Sequence, residues 1–163
     1  AYDIVVVMGI GPAGTGMEEI YQITSALKYL PWGKTVSVLT DARFSGVSTG
    51  ACVGHIGPEA LAGGPIGKLR DGDLIEIKID RYQLEGSISF LGTEDNILSY
   101  EASSTLLNGR PAHPDLAPNP SLPEDTRLWA ALQAVSGGTW QGAVYDLERI
   151  INALTFSSTN IDK

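Results

Sequence analysis

The sequence is poor in metal-binding and redox side chains. Cys52 is its one cysteine, and His55 and His113 are its two histidines, in 163 residues. A single thiol cannot close an internal disulfide. Nor can it hold an iron–sulfur cluster, which takes three or four ligands. No apolar run approaches the ~18–20 residues of a membrane span, and no basic-then-apolar leader marks secretion. Basic residues are also scarce: 11 Lys and Arg stand against 19 Asp and Glu, a formal charge of −8. That excess repels phosphate backbones and anionic lipid, so neither nucleic acid nor membrane is an expected partner. A reducing, cytoplasmic location fits this cysteine usage. The chain begins at Ala1 and not Met, as a processed form or an excised piece would.

The composition is that of a soluble globular protein, 43% hydrophobic and 18% charged. The length suits one domain spanning 1–163 that buries about two-thirds of its unfolded surface. Tyr2 to Met8 is mostly apolar and reads as a buried strand. Met17 to Leu30 reads as a helix, because Ile20, Ile23, Leu27 and Leu30 fall on one stripe and Pro31 and Gly33 follow. "TVSVLT" (35–40) is a second buried strand. Residues 41–57 form a Gly/Ser/Thr-rich loop with a short strand at Ala51 to Val53, and Pro58 to Ala62 is a short helix. "LIEIKI" (74–79) alternates strictly, as a strand with one wet face does. "GSISFLG" (86–92) is another strand.

From Thr93 to Pro123 the pattern blurs. "RPAHPDLAPNPSLP" carries five prolines in 14 residues, and the stretch 108–123 reads as an extended, solvated arm. A helix follows in "PEDTRLWAALQAVS", with Leu128, Ala131, Leu132 and Val135 as its inward face. Leu147 to Leu154 is a last short helix, and 157–163 a frayed tail. No internal repeat is present. Strands and helices mix with strands clustered mid-chain, which indicates α/β with a mixed sheet and not a strictly alternating one.

The opening "DIVVVMGIGPAGTGMEEI" places glycines at 9, 11 and 14 after a strand, the G-x-G-x-x-G spacing of a dinucleotide loop. Two features oppose that reading. Glu18 and Glu19 would occupy the positive end of the following helix and repel phosphate. The acidic residue expected ~20 positions on is Asp41, which is followed by a polar loop and not a βα repeat. Two other readings remain open. The glycines can make a tight turn while the Glu pair complements the helix dipole, or one Glu can face a cleft and bind a hard cation such as Mg²⁺.

The second loop, "LTDARFSGVSTGACVGHIGPEALAGGPIGKLRDGDLIEIKI", carries Asp41, Arg43, Ser45, Ser48, Thr49 and His55 at a strand end, where chemistry concentrates. Ser45 with His55 invites a hydrolase reading, but Ser45 lacks a G-x-S-x-G elbow. This stretch closely resembles the dihydroxy-acid and sugar-acid dehydratase family, which includes 6-phosphogluconate dehydratase. The family pattern is T-D-G-R-F-S-G, then G-H-x-x-P-E-A, G-G-P-I and D-G-D. It is met by Thr40, Asp41, Arg43 to Gly46, Gly54, His55, Pro58 to Ala60, Gly63 to Ile66, and Asp71 to Asp73. Gly11, Pro12, Gly14, Gly16, Met17 and Glu19 match the family's opening glycine run. The resemblance covers about residues 2 to 80, and "GGTWQGAVYDLERI" looks like the sugar-acid branch.

The resemblance implies a β-barrel-like, swivelling β/β/α domain with flanking helices, the C-terminal part of a larger dehydratase. Such enzymes remove water from a 2,3-dihydroxy acid to give a 2-keto-3-deoxy acid. An absent N-terminal domain would be its partner, covering an apolar surface and supplying an iron–sulfur cluster and most Mg²⁺ ligands. Ser45 is then the catalytic base and Glu19 (or Glu18) a metal ligand, converging at one cleft edge. Arg43, Ser48 and Thr49 would bind a small-molecule sugar acid, although Arg43 could equally pair with Asp41, and His55 and Glu59 could simply hold the loop in shape. The isolated domain would be inactive, and the intact enzyme a homo-oligomer. Ala42 replaces the family's usual Gly, which could restrict the loop backbone. The alternatives are a branched-chain dihydroxy-acid dehydratase domain, or a noncatalytic small-molecule-binding or interaction module.

Overall fold

A computed structural model describes residues 3–158 of the chain. Among them are parallel and antiparallel strands and five α-helices. They divide into two compact units, one built from the residues up to Gly67 and from Asp115 onward, the other from Lys68–Pro114.

The first unit is a βαβ arrangement. Strands β1 (Ile4–Val7), β2 (Ser37–Thr40) and β3 (Cys52–Val53) pair parallel in that order, with Ile4 opposite Ser37 and Val7 opposite Thr40. The apolar runs of β1 and β2 explain why they lie inside. Val38 and Leu39 are each 1% exposed. The helix expected over Met17 to Leu30 is instead two pieces. A four-residue helix α1 (Pro12–Thr15) stops at Gly16 in the left-handed region, and α2 (Tyr21–Lys28) starts afresh. Met17 at φ 66° breaks the path between them. The stripe holds in part: Ile20 is buried against Val38 and Ala42, with Ile23 and Leu27 packed beside them, while Leu30 lies past the helix and is exposed. Pro58 to Ala62 is a single 3-10 turn over Ala60–Ala62.

Helix α4 (Glu124–Val135) forms where expected but faces the other way. Leu128 is 62% exposed and Val135 is exposed, whereas Ala130 and Gln133 are buried. The inward face carries Ala130 and Gln133, with Thr126, Trp129 and Leu132 half-buried, and α4 packs on α1 so closely at one point that a Cβ on Gly16 would meet Thr126 Cγ2. Helix α5 (Leu147–Ser158) likewise exposes Leu147, Ile151 and Leu154. Past Ser158 the tail expected over 157–163 lies outside the described residues, as does Tyr2.

The second unit is an antiparallel sheet. Strands β4 (Asp73–Asp80) and β5 (Glu85–Thr93) form a hairpin, and β6 (Asn96–Ile97) adds a short edge. The Asp80 carboxylate closes the turn by accepting the N–H groups of Tyr82 and Gln83. The hairpin end exposes Ile79, Tyr82 and Leu84. Helix α3 (Tyr100–Gly109) lies in the stretch that blurs in the sequence. Ser99 caps it by accepting the Ala102 N–H, and Ser103 and Leu107 face inward. Residues 110–123 carry neither helix nor strand. Parallel and antiparallel pairing thus occur in separate three-stranded sheets, and neither closes into a barrel among the described residues.

Arg110 fastens the second unit. Its Nη1 donates to Asp73 Oδ2 at 2.6 Å, and its guanidinium lies 4.7 Å from the Phe90 ring centre. The Asp73 side chain is only 4% exposed. Arg110→Ala leaves that carboxylate without its counter-charge, with the Arg70 N–H as its remaining donor, and is expected to cost roughly 2–4 kcal/mol in urea denaturation. A loss below about 0.5 kcal/mol would show the pair to be incidental.

Candidate active site

The site is organised by one carboxylate at the end of β2. Asp41 is fully buried. Its Oδ2 accepts the N–H groups of Gly9 (3.1 Å) and Ala60 (2.9 Å), and its Oδ1 accepts that of Ile10 (3.0 Å). One side chain therefore joins the loop after β1 to the loop before the 3-10 turn. Amides bonded to a charged acceptor contribute about 1.5–3 kcal/mol each. The alternative in which Arg43 pairs with Asp41 fails on this geometry, since both Asp41 oxygens are held by backbone amides. Arg43 Nε donates to Met17 O instead, at 2.9 Å.

Glu59 does the second joining. Both its oxygens accept the Ala13 N–H, at 3.2 and 3.1 Å, inside the first turn of α1. The G-x-G-x-x-G loop therefore cradles an anion, and that anion is the protein's own. A Cβ on Gly11 would lie 2.3 Å from Glu59 Oε2, and one on Gly14 would lie 1.9 Å from Gly9 O. The glycines admit the carboxylate and close the turn, and phosphate is left no place there. Burial pushes the Glu59 carboxyl up to about 7. The Ala13 N–H opposes that rise, and the nearby Asp41 adds to it.

The two polar loops run side by side. Glu19 and Arg43 form a parallel bridge in which Ile20 N donates to Arg43 O at 3.1 Å. Glu19 is half-buried. Its Oε1 accepts the Tyr21 N–H at the start of α2, and its Oε2 has no partner among the described residues. Glu18 is exposed. Ser45, two residues past the bridge, is half-buried, and its Oγ accepts the Val47 N–H at 3.4 Å. Arg43 and Thr49 are exposed, and the Ser48 hydroxyl is buried without a hydrogen-bond partner. No hydrogen bond joins Ser45 to His55 among the described residues, and the His55 amide donates to Ala42 O at 2.7 Å. Ala42 sits fully buried in the core and outside the positive-φ region, so its methyl is accommodated without backbone strain.

Residues 1–105 match the family model described as dihydroxy-acid/6-phosphogluconate dehydratase C-terminal. The chain belongs to this dehydratase family. It is 66% identical to the D-xylonate dehydratase YjhG of Escherichia coli over 156 residues, 94% of this chain and 24% of that protein. It is 65% identical to the D-xylonate dehydratase YagF of the same organism over 152 residues, 93% of this chain and 23% of the relative. A dihydroxy-acid dehydratase of Dinoroseobacter shibae is 38% identical over 143 residues, 87% of this chain and 22% of its own length. The chain thus spans about a quarter of the length of these relatives.

An iron–sulfur cluster does not fit the cysteine of this family member. Burial pushes the Cys52 thiol up, and its Sγ donates to Thr49 O, the opposite of a thiolate ligand. A single Mg²⁺ ligand does fit, because the Glu19 Oε2 lone pairs are unused. Among the described residues no group of three or more His, Cys, Asp or Glu converges on a metal position. The expectation that Glu18 and Glu19 lie in a helix first turn is corrected, since both precede α2. Sequence reading missed the role of Asp41; its reading of Glu59 as a residue that holds the loop in shape agrees with the bond from Ala13, though not with that partner in view. The T-D after β2 and the P-E-A motif were their only marks, because their partners lie 19 to 46 residues away.

Asp41→Asn replaces an acceptor with an NH₂ group that faces a backbone donor. It is expected to cost about 3 kcal/mol or more in urea denaturation; a change under about 1 kcal/mol would show that the loops are held by other contacts. Glu59 generates a pH dependence. Its native carboxyl binds a proton more tightly than the unfolded chain does, so its contribution is most favourable below the ordinary 4.5 and is lost as pH rises through about 7. The melting temperature of the wild type relative to Glu59→Gln should therefore fall between pH 5 and pH 8. A constant or rising difference contradicts this.

Proposed function

We propose that the chain is the C-terminal part of a sugar-acid dehydratase that converts an aldonate of the D-xylonate type to its 2-keto-3-deoxy acid. The observation that carries this reading is the 66% identity to a D-xylonate dehydratase across 94% of the chain. The bridge between the Glu19 and Arg43 loops supports it by joining the two family motifs.

In this reading Ser45 is the base. A free serine hydroxyl is far too weak an acid to serve at neutral pH. When bound, Mg²⁺ and a cluster held by the rest of the enzyme would supply the Lewis acidity that ionises Ser45 and receives the C3 hydroxide. Ser45 Oγ takes the proton from C2, and the C3–O bond breaks. The enol left behind loses the proton on its C2 oxygen, gains one at C3 and becomes the 2-keto acid, with one water lost overall. Glu19 offers Oε2 as this chain's metal ligand. Arg43, exposed beside it, suits the substrate carboxylate through its guanidinium fork, with Ser48 and Thr49 lining the same loop.

The remainder of the enzyme covers the exposed apolar faces of α4 and α5, and the domain swivels against it as a β/β/α module. The isolated domain is inactive, and the intact enzyme is a cytoplasmic homo-oligomer. In the intact enzyme, Ser45→Ala should lower kcat for D-xylonate by about 10²-fold or more, with the metal centres unchanged spectroscopically. Glu19→Gln should raise the Mg²⁺ concentration needed for half-maximal rate, and Glu18→Gln should not. A Ser45→Ala enzyme within about threefold of wild type would refute the assignment of the base. Preference for a branched-chain dihydroxy acid would refute the substrate class.

A further inference from the structure

An open cavity of about 270 Å³ lies where α4 meets the turn after α1, lined by Gly16, Asp125, Thr126 and Trp129. Gly16, at φ 77°, stands directly against Thr126. The same turn runs on to Glu18 and Glu19 within three residues, so the cavity and the proposed metal-ligand loop share one piece of backbone. Asp125 Oδ1 accepts the Thr126 N–H at 2.7 Å, and Oδ2 has no partner among the described residues.

The lining gives this cavity a ligand chemistry. An indole, an acceptor-only carboxylate and a hydroxyl are the groups that bind a polyol, whose C–H faces pack on aromatic rings and whose hydroxyls donate to carboxylates. A branched alkyl acid offers Asp125 no donor, and desolvating that carboxylate without one is unfavourable. Helix α4 lies beyond residue 105, outside the family-model match, and inside the similarity to D-xylonate and dihydroxy-acid dehydratases alike, since alignments covering 94%, 93% and 87% of the chain must all span it; the lining chemistry alone carries the preference.

We propose, resting on the sugar-acid reading above, that this cavity receives the hydroxyls distal to the reacting carbons, with Asp125 and Trp129 setting specificity for a polyhydroxy acid. Neither residue touches the reacting atoms, so both should act on binding and leave turnover alone. The test uses the intact enzyme and two probes: D-xylonate as substrate, and D-glycerate, a 2,3-dihydroxy acid with no carbon beyond C3, as a competing substrate that inhibits D-xylonate turnover competitively. Asp125→Asn and Trp129→Leu should each raise KM for D-xylonate by about tenfold or more. Neither should change kcat, or the inhibition constant of D-glycerate, by more than about twofold. An unchanged KM, or equal weakening of both probes, overturns the subsite. Asp125→Asn exchanges an exposed side chain for one of the same shape, so it decides the matter even if Trp129→Leu does not fold. A wild-type enzyme without sugar-acid turnover overturns the dehydratase reading and the subsite with it. An active wild type with indifferent variants overturns the subsite alone.

Discussion

Asp41 carries a charge-bearing group into a place with no water and meets three backbone amides there. Such a group is tolerable only when its oxygens are paired, and the same amides would be costly orphans without it. The two requirements lock the loop after β1 to the loop before residue 60. Because Asp41 directly follows β2, the parallel sheet fixes its position, and the loops take theirs from it. Arg43 and Ser45 come two and four residues later, so the bridge to Glu19 inherits the same frame.

Glu59 extends that logic to the glycine loop. Helix starts attract anions through free N–H groups, and here the anion is built into the chain. The geometry separates this loop from a dinucleotide site, although the glycine spacing is the same. A nucleotide loop leaves its amides open to a ligand. This one closes them with a side chain that Gly11, lacking a Cβ, lets in. The arrangement leaves Glu59 buried beside Asp41, which explains why its carboxyl titrates near neutrality.

Much of the architecture was legible because it rests on local pattern. The apolar runs at Val5 to Val7 and Val38 to Leu39 give buried parallel strands, and the alternation of Leu74 to Ile79 gives the hairpin. Where long-range packing decides, local pattern misleads. The Met17 to Leu30 periodicity is real, yet the chain breaks at Met17 and Gly16 to seat α4. The apolar stripe Leu128, Ala131, Leu132 and Val135 falls on one face, but the helix turns Ala130 and Gln133 inward, leaves Leu132 half-buried and exposes the other three. Helix α3 has a weak apolar stripe, and Ser99 with Gly109 were its only signals. Of the candidate site, the adjacency of the Glu19 and Ser45 loops followed from the family motifs. The partners of Asp41 and Glu59 did not, because backbone amides leave no trace in side-chain identity.

Amide hydrogen exchange tests the central constraint most directly. If Asp41 is the lock, the amides of Gly9, Ile10 and Ala60 lose protection together when Asp41 is changed to Asn, and Ile20, bonded to Arg43 O, loses protection with them. If only one of those amides responds, or Ile20 is indifferent, the loops are held separately and the account is wrong.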